Sequence, residues 1–119
     1  MKTQVTRGQL IFVNLPQYPV GAEQGGKRPA LVIQNNIGNT YSPTTIIAPI
    51  TSEPKKPQPT HIFLKKSFLQ FNRHPRNSTI LCEQVRTISK SRILAYGPVL
   101  PDGIMQKVNH ALEISMGIN

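Results

Sequence analysis

Glu23-Gln24-Gly25-Gly26-Lys27-Arg28-Pro29-Ala30-Leu31-Val32-Ile33-Gln34-Asn35 joins a polar glycine loop directly to an almost continuous apolar run. The run from Pro29 to Gln34 reads as a strand, and its lack of polar interruptions marks a central one, buried on both faces. Arg28 stands at the joint between loop and strand. A strand anchors its stem while the loop leaves its head accessible, an arrangement suited to holding a phosphate rather than merely attracting one.

Outward from this stretch the chain keeps the same texture, with eleven prolines and eight glycines punctuating short apolar runs. That pattern predicts a small, mainly β domain. Gln9–Leu15 is the expected first strand, Pro16–Lys27 a long polar loop, and Asn35–Pro43 a turn-rich connection. Thr44–Ile50 is the third strand, with Pro49 pointing to a bulge or an edge. A proline-rich basic loop, Pro54–Pro59, leads to a short strand His61–Leu64. Ser78–Thr87 and Leu94–Leu100 complete a set of six. In the fifth strand, alternation would put Gln84 and Arg86 on one face and Glu83, Val85 and Thr87 on the other.

The chain ends differently. Ile104, Met105, Val108, Ala111, Leu112, Ser115 and Met116 recur at three- and four-residue spacing, which predicts a helix capped by Asp102 and stopped by Gly117. Its apolar stripe is expected to pack on the β domain or on a twin subunit. With 119 residues and no linker or repeat, one domain over residues 1–119 is expected.

Fourteen Lys and Arg stand against five Asp and Glu, a formal net charge of +9. A surplus of that size points to a polyanionic partner, with nucleic acid foremost; a solvated basic surface is the plainer alternative. No stretch is long enough to span a bilayer, so a membrane role is not expected. Residues 1–7 carry no apolar core of a signal peptide, and the cytoplasm is the expected compartment. The single cysteine, Cys82, lies in an apolar run and is expected to be a core residue.

The five acids are scattered, and there is no Cys/His cluster, phosphate-loop sequence or nucleophile elbow. No metal or cofactor is therefore expected. RNA can still be cut without either, because it carries its own nucleophile in the 2′-hydroxyl. The protein need only orient that group, move two protons and stabilise the phosphorane-like charge. Arg28 suits the phosphate, and Thr51, ending the third strand, can donate a hydrogen bond to a phosphate oxygen. Taken singly, Arg28 also fits a surface ion pair and Thr51 a turn. His61 fits an acid or base as well as it fits a structural histidine. His74, in Asn72-Arg73-His74-Pro75-Arg76, fits contact with a phosphate or with solvent, and His110 on the polar side of the helix has no role.

Several of these segments together, in this order, resemble the MazF/PemK-type toxins of bacterial toxin–antitoxin systems. The resemblance rests on Arg7-Gly8, Glu23-Gln24-Gly25-Gly26, Arg28-Pro29-Ala30-Leu31-Val32-Ile33-Gln34-Asn35 and Ser42-Pro43-Thr44. It continues through Ala48-Pro49-Ile50-Thr51, Pro59-Thr60-His61 and Leu81-Cys82-Glu83-Gln84-Val85-Arg86-Thr87-Ile88. It implies a small SH3-like (PemK-type) β-barrel with a C-terminal helix, assembled as a homodimer. It also implies a metal-independent endoribonuclease that cuts single-stranded mRNA at a short sequence, leaving a 2′,3′-cyclic phosphate and a 5′-hydroxyl. Arg28 and Thr51 occupy the positions of the family's catalytic pair. Glu23, Gln24, Gly25, Gln34, Asn36, His61, Gln84 and Arg86 are the expected RNA-binding residues, with the Pro16–Lys27 loop as reader or gate. The implied partner is an acidic, MazE-like antitoxin whose extended segment competes for the RNA groove. Two other functions suit the same chain less well: a non-catalytic nucleic-acid-binding barrel, and a toxin of this fold acting on a topoisomerase.

Overall fold

A computed structural model describes residues 4–16 and 20–118. Seven strands form one antiparallel sheet: β1 (Gln9–Leu15), β2 (Gly26–Val32), β3 (Thr44–Thr51), β4 (His61–Leu64), β5 (Ser78–Leu81), β6 (Arg86–Ser89) and β7 (Ile93–Val99). The order is β4-β5-β3-β2-β1-β7, with β6 also paired to β3. The sheet does not close on itself, but it is barrel-like. A six-residue helix α1 (Asn36–Tyr41) links β2 to β3, and α2 (Asp102–Met116) ends the chain.

The alternation of side chains along each strand divides the core in two. Leu10 of β1, Leu31 of β2 and Ala48 and Ile50 of β3 pack with Ile80, Cys82 and the inner face of α2, namely Met105, Val108 and Ala111. Their neighbours in the chain, Ile11, Val13, Ala30, Val32 and Ile47, form a second cluster with Val5, Leu15 and Ile88. Burial on both faces is why these strands read as continuous apolar runs rather than alternating ones. It also answers where the helix stripe goes: it packs on the sheet.

β1 and β4 run over the residues expected from the sequence. The other differences have local causes. β2 starts three residues earlier, because Gly26 adopts φ +76° and turns the loop into the strand, a conformation that favours glycine. The Asn35–Pro43 connection contains α1, capped by the Asn35 side chain accepting from the Gly38 amide at 2.8 Å. One and a half turns are too short to show helical periodicity. Pro49 marks neither an edge nor a bulge. Along one side of β3, pairing with β6 ends at Ile47 and pairing with β5 begins at Ile50. Pro49 sits in that gap, where its missing N–H leaves no ladder bond unmade.

The expected fifth strand is two strands. Cys82–Val85 forms a turn between β5 and β6, with Gln84 N–H bonded to Leu81 O at 3.1 Å. The expected strand alternation across Glu83–Thr87 therefore does not hold: Glu83 and Val85 line the same cleft as Gln84 and Arg86. Asp102 is the first residue of α2 rather than its cap; Pro101 occupies that position. The Asp102 carboxylate still lies in the first turn, where the helix dipole favours it. Gly117, at φ +70°, ends the helix as expected.

Cys82 is fully buried, and burial, reinforced by Glu83, pushes its thiol pKa up to about 12. The native protein is expected to show no reaction with a thiol reagent at pH 8, and one equivalent to react after denaturation. Rapid labelling of the native state would contradict its place in the core.

Candidate active site

β2 and β3 run antiparallel with Ala30 opposite Pro49 and Val32 opposite Ile47. Continuing that register two residues beyond Ala30 sets Arg28 opposite Thr51. Directly opposed residues on neighbouring strands have Cβ atoms ~5 Å apart. Both side chains line one cleft because one strand begins where the other ends.

Arg28 is held from three sides. Its Nε donates to Gly25 O at 3.0 Å, and Nη1 donates to Gln24 Oε1 and, at 3.5 Å, to Ile50 O. Nη2 makes no hydrogen bond among the described residues. The guanidinium is thus oriented by the loop and by β3 while one edge is left for a ligand. Burial lowers its pKa from the ordinary arginine value, and the charge of Glu53 opposes that shift. It remains a cation, and partial removal from water strengthens its pull on a phosphate. Thr51 lies at the floor of the site, 3 % exposed, and its Oγ1 accepts from the Glu53 amide at 3.2 Å. That bond leaves the hydroxyl proton available to a phosphate oxygen.

Three clefts run together around this pair. One of 270 Å³ is lined by Lys27, Arg28, Thr51, Ser52, Glu53, Asn72, His74, Arg76 and Ser78, among others. It shares Arg28 and Glu53 with a cleft of 240 Å³ that also touches Gly25 and Lys55. The latter shares Glu23 and Gln24 with a cleft of 630 Å³, lined further by Glu83, Gln84 and Arg86. Neighbouring clefts thus share walls, and Arg28 borders two of them.

Glu23, Gln24, Gly25, Gln84 and Arg86 all line these clefts. Two of them also hold the wall. Gln84 accepts from the Gln24 amide at 3.2 Å and donates to Ala22 O at 3.1 Å, and Arg86 Nη1 donates to Gln24 O at 3.4 Å. The expected gate, Pro16–Lys27, is therefore tied down from Ala22 onward; residues 17–19 lie outside the described residues.

His61 reaches the groove only through another residue. Its side chain is 7 % exposed, and Nε2 meets Glu83 Oε2 at 2.9 Å. Thr60 Oγ1 donates to the other carboxylate oxygen at 3.1 Å. Thr60 and His61 thus fix Glu83, which lines the widest cleft. Gln34 and Asn36 line none of the three clefts. They follow the far end of β2, six and eight residues from Arg28, or ~20 Å or more along extended chain. Gln34 Nε2 donates to Asn39 Oδ1 and Thr44 O, both at 3.1 Å, and Asn36 Oδ1 accepts from the Arg7 amide at 2.7 Å. Both brace the buried Asn39 and helix α1 rather than the groove.

Glu53, Asn72 and Arg76 also stand in the Arg28–Thr51 cleft, with His74, whose sequence setting fits contact with a phosphate. The basic stretch Asn72–Arg76 was the one signal in the sequence. Among the described residues, no group of three or more His, Cys, Asp or Glu side chains is placed to hold a metal ion, and no helix is long and apolar enough to cross a membrane.

Comparison with known proteins places this geometry in a family. The family model described as PemK-like, MazF-like toxin of type II toxin–antitoxin system matches residues 6–116. The chain is 46 % identical over 115 residues to the endoribonuclease EndoA of Bacillus subtilis, covering 96 % of each chain. The fold is shared with MazF of Deinococcus radiodurans, with TM-score 0.79 and 24 % identity, over 98 % of this chain and 100 % of that one. It is shared too with a mycobacterial endoribonuclease solved in complex with its cognate antitoxin, with TM-score 0.73 and 20 % identity, over 97 % of each chain. With the family pattern running from residue 6 to residue 116 and 46 % identity to EndoA over 96 % of each chain, this chain belongs to the PemK-like, MazF-like toxins of type II toxin–antitoxin systems.

Proposed function

We propose that this protein is the toxin of a type II toxin–antitoxin system and acts as a metal-independent endoribonuclease on single-stranded mRNA. The observation that carries the reading is that Arg28, from the start of β2, and Thr51, from the end of β3, line one cleft together with Lys27 and Arg76. A phosphodiester seated there meets the free edge of Arg28 and the Thr51 hydroxyl. Both donors gain strength as charge builds on the non-bridging oxygens during attack by the 2′-hydroxyl. The products are a 2′,3′-cyclic phosphate and a 5′-hydroxyl.

Glu23, Gln24, Gly25, Gln84 and Arg86 bind the nucleotides flanking the cut, and hydrogen bonds to splayed bases choose the sequence. Glu83, fixed by Thr60 and His61, presents a carboxylate to the same wall. The toxin is a homodimer of the cytoplasm. Its antitoxin is an acidic, MazE-like chain whose extended segment occupies the groove and excludes RNA. The net charge of +9 favours both ligands.

Incubation with a long RNA, followed by primer extension, is expected to map cuts to one short recurring sequence. Annealing a complementary strand over such a site should protect it. Bound but uncut RNA would make the protein a binding module instead.

A further inference from the structure

The cleft that holds Arg28 and Thr51 also contains a carboxylate and an imidazole. Among its described lining residues Glu53 is the only carboxylate and His74 the only imidazole; Lys27, Arg28 and Arg76 supply fixed positive charge. We propose that Glu53 is the general base and His74 the general acid of the RNA-cutting reaction, a reading that rests on the ribonuclease function above.

The placement fits an in-line displacement. Glu53 stands where the cleft opens into the base-binding part of the groove, since it borders both the Arg28–Thr51 cleft and the neighbouring one with Gly25 and Lys55. His74 borders only the far cleft. A phosphate on Arg28 thus shares its cleft with both side chains, and of the two only the carboxylate also borders the neighbouring cleft. As the 2′-oxygen bonds to phosphorus, its proton passes to Glu53. As the bond from phosphorus to the 5′-oxygen breaks, His74 gives its ring proton to that oxygen. The products are the cyclic phosphate and the 5′-hydroxyl, and the two side chains exchange their proton through solvent.

Both side chains are free for this work. Glu53 and His74 belong to exposed residues, and neither side chain has a hydrogen bond or ion pair among the described residues. The backbone amide of Glu53 is fixed on Thr51, so the carboxylate extends from an anchored point. The other candidates are otherwise engaged: His61 is spent on Glu83, and Glu83 is held by Thr60 and His61 in the wide cleft. The charges facing His74 are Arg28 and Lys27 from β2, Arg76 from its own loop and Glu53 from the segment after β3. Lys55 adds a further cation beside Glu53.

The test is single-turnover cutting of a short RNA carrying one mapped site. Glu53→Gln and His74→Gln are each expected to slow the step ~100- to 10,000-fold, with unchanged thermal melting. His110→Asn, on the outer face of α2, should cut as the wild type does. The wild-type pH–rate profile should be bell-shaped. Glu53→Gln should flatten its acid limb and His74→Gln its alkaline limb.

A substrate with sulfur in place of the leaving 5′-oxygen separates the roles, because a thiolate departs without being protonated. It should restore His74→Gln to near the wild-type rate and leave Glu53→Gln slow. Wild-type cutting by either variant on ordinary RNA, or no rescue of His74→Gln by sulfur, overturns the assignment. Absence of cutting by the wild type would instead reject the ribonuclease reading itself.

Discussion

Arg28→Ala is expected to lower the single-turnover rate of RNA cutting by about 100- to 1000-fold while leaving the protein folded. Removal of one preorganised donor to a developing oxyanion has that effect, and Arg28 also contributes a full charge. The fold should survive because Arg28 stands at the mouth of the sheet. The groups it leaves behind, Gly25 O, Ile50 O and the Gln24 side chain, border open clefts where water can reach them. Arg28→Lys separates charge from geometry. A lysine keeps the charge but lacks the planar fork that engages Gly25, Gln24 and the ligand together, so its rate should fall between the other two. Equal cutting by wild type and Arg28→Ala would remove this residue from the mechanism.

Leu31→Ala should do the opposite. Leu31 is fully buried three residues along the same strand, paired with Leu10 on one side and Ala48 on the other. Truncation of such a side chain costs ~2–5 kcal/mol in lost transfer energy and residual cavity. A domain of this size has only ~5–15 kcal/mol in total. Urea unfolding should show a clearly lower midpoint with an unchanged slope. At temperatures where the variant is still folded, its cutting rate should match the wild type. A loss below ~1 kcal/mol would mean that the core around β2 is not close-packed. The two substitutions together distinguish the two parts of the Glu23–Asn35 stretch, its chemical head and its structural stem.

That stretch was readable because both parts have local signatures: glycines before a cation, then an unbroken apolar run. β1 and β4 were readable for the same reason, as apolar segments bounded by turn residues. What the sequence obscured was set by distant partners. Ser78–Thr87 reads as one strand, and it breaks at Cys82–Val85 because β3 accepts β5 and β6 at different points along its length. Pro49 reads as an edge signal until that change of partner is seen.

The site divides along the same line. Arg28 and Thr51 are legible as the positions of the family's pair, one near the start of a recognisable strand and one at the end of another. Gln34 and Asn36 resembled groove residues because they follow the same motif, yet the strand carries them to the opposite end of the sheet. His74 and Glu53 come from loops more than twenty residues apart. No periodicity links them, and only the fold brings them to one cleft. His61 fits two roles equally in the sequence, and the fold buries its ring against Glu83.

The most direct measurement is end-group analysis of RNA incubated with the purified protein in excess EDTA. Cutting that persists, with 2′,3′-cyclic phosphate on one fragment and 5′-hydroxyl on the other, is the predicted result; it requires the 2′-oxygen as nucleophile and the protein's own side chains as the catalyst. Cutting abolished by EDTA, or fragments bearing 5′-phosphates, would contradict the account.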